Sequence, residues 1–191
     1  MFICHVALQG CLTLQDVPYG LTADTGGHIK YLLELADASA KDPSVHRIDL
    51  VTRGFVGSRL GDKFRPGESE HDGKVRLVRI ADGEEAYLPK ENLRHRHREL
   101  CDAFIAYLRG LRRKPDLIHA HYADAGILAR RAKEVFGIPY VFTGHSLGAV
   151  KREANGRTND ELERRIAIEE RALEAADAVD RHVAEQDEQD R

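Results

Sequence analysis

A serine between two glycines is the first group in this chain whose type and spacing suggest chemistry. Residues 144–148 read GHSLG and fit the pattern G-x-S-x-G. In serine hydrolases this pattern raises a nucleophilic serine on a tight turn between a strand and a helix. Ser146 is therefore a candidate nucleophile. The alternative is that Gly144 and Gly148 only shape a loop.

A serine nucleophile needs an acid and a histidine base, which follow it along the chain in hydrolases of this type. The chain after Ser146 contains one histidine, His182, in a polar segment near the end. The stretch of residues after Ser146 is also too short to supply the strands that would carry an acid and a base. The sequence therefore favours the loop interpretation over a hydrolase.

Two other polar loops carry candidate ligand groups. Residues 24–28 read DTGGH directly before a helical pattern, and glycines at a helix start leave backbone N–H groups accessible to an anion. A Gly-Gly pair also occurs in plain tight turns. His145 follows a buried strand and could stabilise charge there, whereas His119 is interpreted as a core residue of its strand.

Several basic residues lie in or beside these loops and could hold a phosphate. They are Lys90, Lys151, Arg152, Arg164 and Arg165. For Arg164 and Arg165 the alternative is a solvated helix face that pairs with glutamates at i,i+4 spacing. The run RHRHR at residues 94–98 is interpreted as a solvated surface of a long helix, because alternating positions point around a helix.

Strands and helices alternate along the chain. The predicted strands are residues 2–8, 47–52, 75–80, 116–120 and 140–143, and the predicted helices are 26–40, 91–111, 125–136 and 160–178. This alternation predicts an α/β fold with a doubly wound parallel, Rossmann-like sheet. Each candidate loop follows a strand, so all three should meet at one sheet edge, where such folds bind ligands.

Composition limits the classes of partner. The net charge is −3, with 42% hydrophobic and 32% charged residues, which gives no global argument for nucleic acid or anionic membranes as partners, and we expect neither. No apolar run is long enough for a membrane helix, and the first residues lack a basic leader. Cys4, Cys11 and Cys101 suit small buried residues in a reducing compartment. We expect a cytoplasmic protein.

Six segments together resemble a known family. They are DTGGHIKYLLELADA (24–38), RIDLVTR (47–53), YLPKENL (87–93), PDLIHAHYADAG (115–126), IPYVFTGHSLG (138–148) with Lys151, and RRIAIEERALEAADAV (164–179). In this order they resemble the N-terminal half of a retaining glycosyltransferase with the GT-B fold, in the sucrose-phosphate synthase branch of family 4. The pair HYADAG and TGHSLG is the specific part of the resemblance.

The resemblance implies transfer of glucose from a nucleotide sugar, typically UDP-glucose, to fructose 6-phosphate. Gly26 and Gly27 would approach the donor phosphates and the acceptor, and His145 would stabilise charge on the transferred sugar. The remaining implied acceptor contacts are His28 (where the family usually has Gln), Tyr122 and Asp124 for the sugar, and Lys90, Ser146, Lys151 and Arg165 for its phosphate. No metal, covalent nucleophile or cofactor other than the sugar nucleotide is implied.

The resemblance also implies a domain organisation. Residues 1–179 would form the acceptor-binding domain and residues 180–191 a polar tail, while the donor-binding domain is not among these residues. Glu161 and Glu169 match the spacing of the family's donor-binding glutamates only by chance. We therefore expect this chain to be inactive alone, with a donor domain supplied elsewhere, for example by a separate chain. The alternative is a non-catalytic module that binds or senses a sugar phosphate.

Overall fold

The computed structural model describes residues 1–57, 62–67, 69–156 and 159–180. Their strands form one sheet in the order β3-β4-β2-β1-β5-β6-β7. The strands are β1 (Phe2–Val6), β2 (Arg47–Arg53), β3 (Ser69–Asp72), β4 (Val75–Ile80), β5 (Leu117–His121), β6 (Tyr140–Thr143) and β7 (Ala178–Asp180). The helices are α1 (Gly27–Lys41), α2 (Lys90–Leu93), α3 (His97–Gly110), α4 (Tyr122–Phe136), α5 (Gly148–Asn155) and α6 (Asp160–Ala175), with short 3-10 turns at Asp62–Phe64 and Arg94–Arg96.

The predicted doubly wound parallel sheet is confirmed. Every strand pair is parallel except β3 with β4. β1 lies between β2 and β5, so the chain changes its direction of winding at β1. In folds of this kind a crevice opens at that point, beyond the carboxyl ends of the strands.

Two hydrophobic cores cover the two faces of the sheet. Val6 and Phe142 belong to the core beneath α3 and α4, whereas Ile3 and Leu32 belong to the core beneath α1. Neighbouring residues of a strand point to opposite faces. His5 therefore shares the α1 face with Ile3, and the alternation in β5 places its two histidines on the same face.

Several predicted elements differ from the structure. The helix predicted at 91–111 is divided into α2, a 3-10 turn and α3. The helix predicted at 125–136 begins earlier, at Tyr122, and α6 ends at Ala175. The strands β3 and β7 and the helix α5 had no counterpart in the prediction. Of the tail predicted at 180–191, Asp180 is the last residue of β7, and the rest lies outside the described residues.

None of the helices in the described part of the chain has both the length and the apolar character required to cross a bilayer.

Candidate active site

A cleft of about 340 Å³ opens where β5 and β6 end. Six of the ten predicted site residues line it, namely Lys90, Tyr122, Asp124, Ser146, Lys151 and Arg165. The other four, Gly26, Gly27, His28 and His145, are not among its lining residues. The site continues behind Tyr122, whose ring centroid lies 5.2 Å from that of His28 and 4.6 Å from that of His145.

Arg165 is fixed against the turn that follows β6. Its Nε donates to Oε1 of Glu169 at 2.7 Å, and its Nη2 donates to the backbone carbonyl of Ser146 and, at 3.4 Å, to Ser146 Oγ. The side chain is 28% exposed. The i,i+4 pair considered in the sequence therefore exists, but it orients Arg165 towards the cleft.

The other basic candidates divide between the cleft and the surface. Arg164 lines the cleft beside Arg165. Arg152 instead pairs with Glu163 at 3.1 Å, with both side chains more than 40% exposed. Arg152 therefore lies on the exposed surface and is not among the residues that line the cleft.

Asp124 is held by two residues that the sequence did not single out as site residues. Its Oδ1 lies 2.6 Å from His97 Nε2, and its Oδ2 accepts from Gln9 Nε2 at 3.2 Å. Because Gln9 follows β1 and His97 begins α3, these contacts join three segments that are distant in sequence.

The interpretation of residues 94–98 as a solvated helix surface is wrong in part. Arg94 and His97 line the cleft, and the His97 side chain is only 18% exposed. The reason is the 3-10 turn at Arg94–Arg96, which breaks the predicted helix and turns His97 towards Asp124.

Lys90 stands at the start of α2 and is fixed by Asp24. The backbone N–H of Lys90 donates to Asp24 Oδ2 at 3.0 Å, and its Nζ lies 3.7 Å from Oδ1. The hydroxyl of Tyr87 donates to the same carboxylate at 2.8 Å, and burial is the main cause of its raised pKa. The loop before Gly26 is thereby joined to the segment that carries Lys90.

The loop at the start of α1 has no packing reason for its two glycines. Apart from its chain neighbours and the helix backbone, a Cβ atom added at Gly26 or Gly27 would meet no atom of the described residues within 4 Å. Among the same residues no side chain caps this helix start. Nearby, Nε2 of His28 is buried without a hydrogen-bond partner among the described residues, and burial lowers the pKa of this ring.

His145 has a left-handed backbone, with φ at 52°. Such a conformation is uncommon for a residue with a side chain and often marks a functional site. Tyr122, the residue after β5, shows the same feature with φ at 68°. The two rings that face each other at 4.6 Å thus both stand on strained backbone.

A group of buried histidines lies behind His145. Nε2 of His145 is 2.9 Å from Nδ1 of His121, and Nε2 of His121 is 3.2 Å from Nδ1 of His5. His119 stacks on His121 with ring centroids 4.3 Å apart, and its Nε2 contacts Thr143 Oγ1 at 2.7 Å. His119 is buried as predicted, but its ring belongs to this polar group.

All four rings of this group are neutral at pH 7. Burial, the first cause, lowers the pKa of His145 and of His119 to about 4 and that of His5 to about 3. The pKa of His121 also falls well below its ordinary value, through burial and the neighbouring rings. His145 therefore offers the cleft region an uncharged imidazole.

One group within the described residues has spacing that a metal ion could use. His5, His119 and His121 each offer a nitrogen within 4.8 Å of the others. Neutral imidazoles are good ligands for zinc and similar ions. The sequence-based expectation of no metal stays a prediction.

The hydrolase interpretation of GHSLG has no support. Among the described residues no histidine hydrogen-bonds Ser146 Oγ, whose recorded contact is with Arg165. The strained residue of the turn is His145 and not Ser146, and Nε2 of His145 is engaged by His121.

The fold is a Rossmann-like α/β domain with a polar cleft beyond the ends of β5 and β6, and comparison with known proteins places the chain in a family. Residues 26–185 match the glycosyl transferase 4-like domain, and the chain belongs to this family. The structure has the Rossmann-like fold of the N-terminal domain of GT-B proteins.

Within this family the chain is similar to sucrose-phosphate synthases. It is 31% identical over 210 residues to sucrose-phosphate synthase 4 of Arabidopsis thaliana and 32% identical over 219 residues to the sucrose-phosphate synthase of Zea mays. Each alignment covers 94% of this chain and 20% of the relative, so the chain spans about a fifth of their length. A structure of sucrose-phosphate synthase from Thermosynechococcus elongatus matches 93% of this chain and 41% of that one, with 26% identity and a TM-score of 0.70.

Proposed function

We propose that this chain is the acceptor-binding half of a glycosyltransferase and that its cleft binds a sugar phosphate, with fructose 6-phosphate as the acceptor. The observation that carries the proposal is the charge of the cleft. Five cationic side chains line it, Lys90, Arg94, Lys151, Arg164 and Arg165, against three carboxylates. One of these carboxylates, Asp124, is engaged by His97. An otherwise acidic chain thus gathers positive charge at one point, as binding of a phosphate ester requires.

In this proposal the phosphate lies against the turn after β6. Ser146, Lys151 and Arg165 line that wall of the cleft, and Lys90 contributes from the start of α2. An arginine has five donors, so its bonds to Glu169 and Ser146 are compatible with donation to a phosphate. Tyr122 and Asp124 would contact the sugar.

His145 would act on the transferred glucose. A neutral imidazole can hydrogen-bond a sugar hydroxyl and orient its dipole towards oxocarbenium-like charge. The donor is proposed to be a nucleotide sugar such as UDP-glucose. Its phosphates would approach Gly26 and Gly27 at the uncapped start of α1, and His28 would contact the sugars with its unpaired Nε2. Transfer would require a donor-binding domain in addition to these residues.

Thermal unfolding with and without ligand tests this proposal. Fructose 6-phosphate at millimolar concentration should raise the melting temperature of the chain, because a ligand that binds only the folded state stabilises it. Fructose and mannitol at the same concentration should not, since they lack the phosphate. No shift with fructose 6-phosphate, or an equal shift with fructose, would contradict the proposal.

A further inference from the structure

Two hydrogen bonds join His145 to the interior of the sheet, and both run between ring nitrogens. His145 Nε2 lies 2.9 Å from His121 Nδ1, and His121 Nε2 lies 3.2 Å from His5 Nδ1. In each bond one nitrogen must carry the proton and the other must accept it. The proton positions of the three rings are therefore linked.

The strands hold these rings in place. His5 and His121 are 2% and 1% exposed and stand on the adjacent strands β1 and β5. His121 stacks between the other two, with ring centroids 5.5 Å from His5 and 5.2 Å from His145. A neutral imidazole has one N–H donor and one acceptor nitrogen, and each contact between two ring nitrogens uses one of each.

Only two proton arrangements satisfy both bonds. In the first, His5 donates to His121 and His121 donates to His145, so that His145 carries its proton on Nδ1. In the second, both bonds are reversed and His145 carries its proton on Nε2. The arrangements differ at the inner end, where Nε2 of His5 has no partner among the described residues.

The unpaired atom decides between the arrangements. The first leaves His5 Nε2 as a bare acceptor, whereas the second leaves it as a buried N–H without an acceptor. In the protein backbone a buried N–H group without a partner is rarer than an under-satisfied acceptor, and we extend this preference to the ring nitrogens of His5. The first arrangement is therefore favoured.

We propose that His5 and His121 are positioning residues that hold His145 in the tautomer with its proton on Nδ1. His145 then presents a hydrogen-bond donor to the bound sugar. The contact between His145 and a bound sugar rests on the proposed function, but the tautomer of His145 does not depend on that function. A solvated histidine favours the Nε2–H form, so the chain of rings reverses that preference.

The same rings could instead hold a metal ion. A metal ion bound by His5, His119 and His121 would take ring nitrogens that the two hydrogen bonds require. The metal content of the protein and the tautomer of His145 therefore distinguish a metal site from the hydrogen-bonded rings.

The experiment is a long-range ¹H–¹⁵N correlation spectrum of the ¹⁵N-labelled chain at pH 7 without ligand, with His145 assigned through His145→Gln. We expect a protonated Nδ1 and a bare Nε2 for His145. His121→Phe should return His145 to the Nε2–H form of solvated histidine, and the exposed His46→Gln should change nothing. The wild-type spectrum is decisive even if His121→Phe does not fold.

Three results would overturn the proposal. They are a wild-type His145 with its proton on Nε2, an averaged mixture of tautomers, or stoichiometric zinc that a chelator removes with a change in the His121 signals. Each can be obtained whether or not fructose 6-phosphate raises the melting temperature, so failure of the proposed function would be seen separately.

Discussion

The carboxylate of Glu169 accepts the backbone N–H of Gly148 at 2.7 Å and thereby ties α6 to the turn after β6. Glu169 is 3% exposed, and its other oxygen accepts from Arg165. A buried carboxylate at the first residue of α5 also suits the positive end of that helix. Glu169 thus sets the positions of both the turn and the arginine that line the cleft.

Replacement of Glu169 tests this connection. Glu169→Gln should lower the free energy of unfolding by about 1.5–3 kcal/mol, because hydrogen bonds to a charged group are lost and an amide N–H₂ then faces a donor. Urea denaturation measures the loss. Its neighbour Glu170 is exposed, so Glu170→Gln is the matched control. Equal stability of the two variants would show that the contact contributes little.

Two glycines of the site should respond differently to alanine. A Cβ at Gly148 would lie 2.8 Å from Ile166 Cγ1, so Gly148→Ala should cost about 1–3 kcal/mol through overpacking. At Gly26 a Cβ would meet no atom within 4 Å in the described part of the chain beyond its immediate neighbours, and Gly26→Ala should change stability by less than about 1 kcal/mol.

Ligand binding gives the second half of this comparison. If a ligand approaches the backbone at Gly26, Gly26→Ala should weaken sugar-nucleotide or sugar-phosphate binding by about tenfold, or ~1.4 kcal/mol, without loss of stability. Unchanged affinity for UDP-glucose and fructose 6-phosphate would remove Gly26 from the site.

Five of the seven strands in the described residues (β1, β2, β4, β5 and β6) and the helices α1, α4 and α6 could be predicted because their apolar patterns are local. β3 escaped because SEHD, at residues 69–72, has no apolar alternation and forms by pairing with β4. The prediction of one continuous helix at 91–111 was wrong because no local residue indicates the break. The break is accompanied by a tertiary contact, between His97 and Asp124.

Residues of the cleft could be predicted from the sequence where a motif follows a strand. Residues that come together only through contacts between strands could not. Tyr122 directly follows β5, Ser146 lies three residues after the end of β6, and both line the cleft. His5 and His121 went unrecognised although one signal was available. In IHAH at residues 118–121 two histidines alternate on one strand, and the alternation of a strand places them on one face. Only the pairing of β1 with β5 brings His5 beside them.

A buried ion pair supports the segment that leads to Lys90. Arg53 Nε and Nη2 donate to Asp82 at 2.9 and 3.1 Å, and Arg53 also donates to the carbonyls of Glu84 and Ala86. Asp82→Asn should destabilise the fold by about 3–5 kcal/mol, because it leaves a buried charge without its partner.

Asp62 provides the control for this pair in thermal or urea unfolding. It pairs with Arg65 at 3.1 Å, but its side chain is 78% exposed, so Asp62→Asn should cost less than about 1 kcal/mol. Similar losses of unfolding free energy for Asp82→Asn and Asp62→Asn would contradict the claim that burial makes the Arg53–Asp82 pair important for stability.

The histidine group predicts how stability depends on pH. The pKa of His5 is about 3 and that of His119 and His145 about 4, below the value of 6.5 for an unperturbed histidine. At pH values between the folded and the unfolded pKa, the unfolded chain binds protons that the folded protein does not. The stability that the neutral rings contribute should therefore be fully present above pH 6.5. The free energy of unfolding should fall as the pH drops towards 4, by up to about 1.4 kcal/mol per pH unit for each ring.

Urea denaturation at pH 7, 6 and 5 measures this slope. His5→Phe should reduce it by removing one of the titrating rings, whereas His71→Gln, at an exposed position of β3, should leave it unchanged. A stability that does not change between pH 7 and 5 would show that these rings take up protons in the folded state.

Calorimetric titration of fructose 6-phosphate tests the central claim most directly. The account predicts saturable binding to the wild-type chain, much weaker binding of fructose, and a loss of about tenfold or more in affinity, ~1.4 kcal/mol, for Arg165→Ala. Arg171→Ala, at an exposed position of the same helix, should bind as the wild type does. Absence of binding at millimolar fructose 6-phosphate, or equal affinities for Arg165→Ala and the wild type, would contradict the assignment of this cleft to a sugar phosphate.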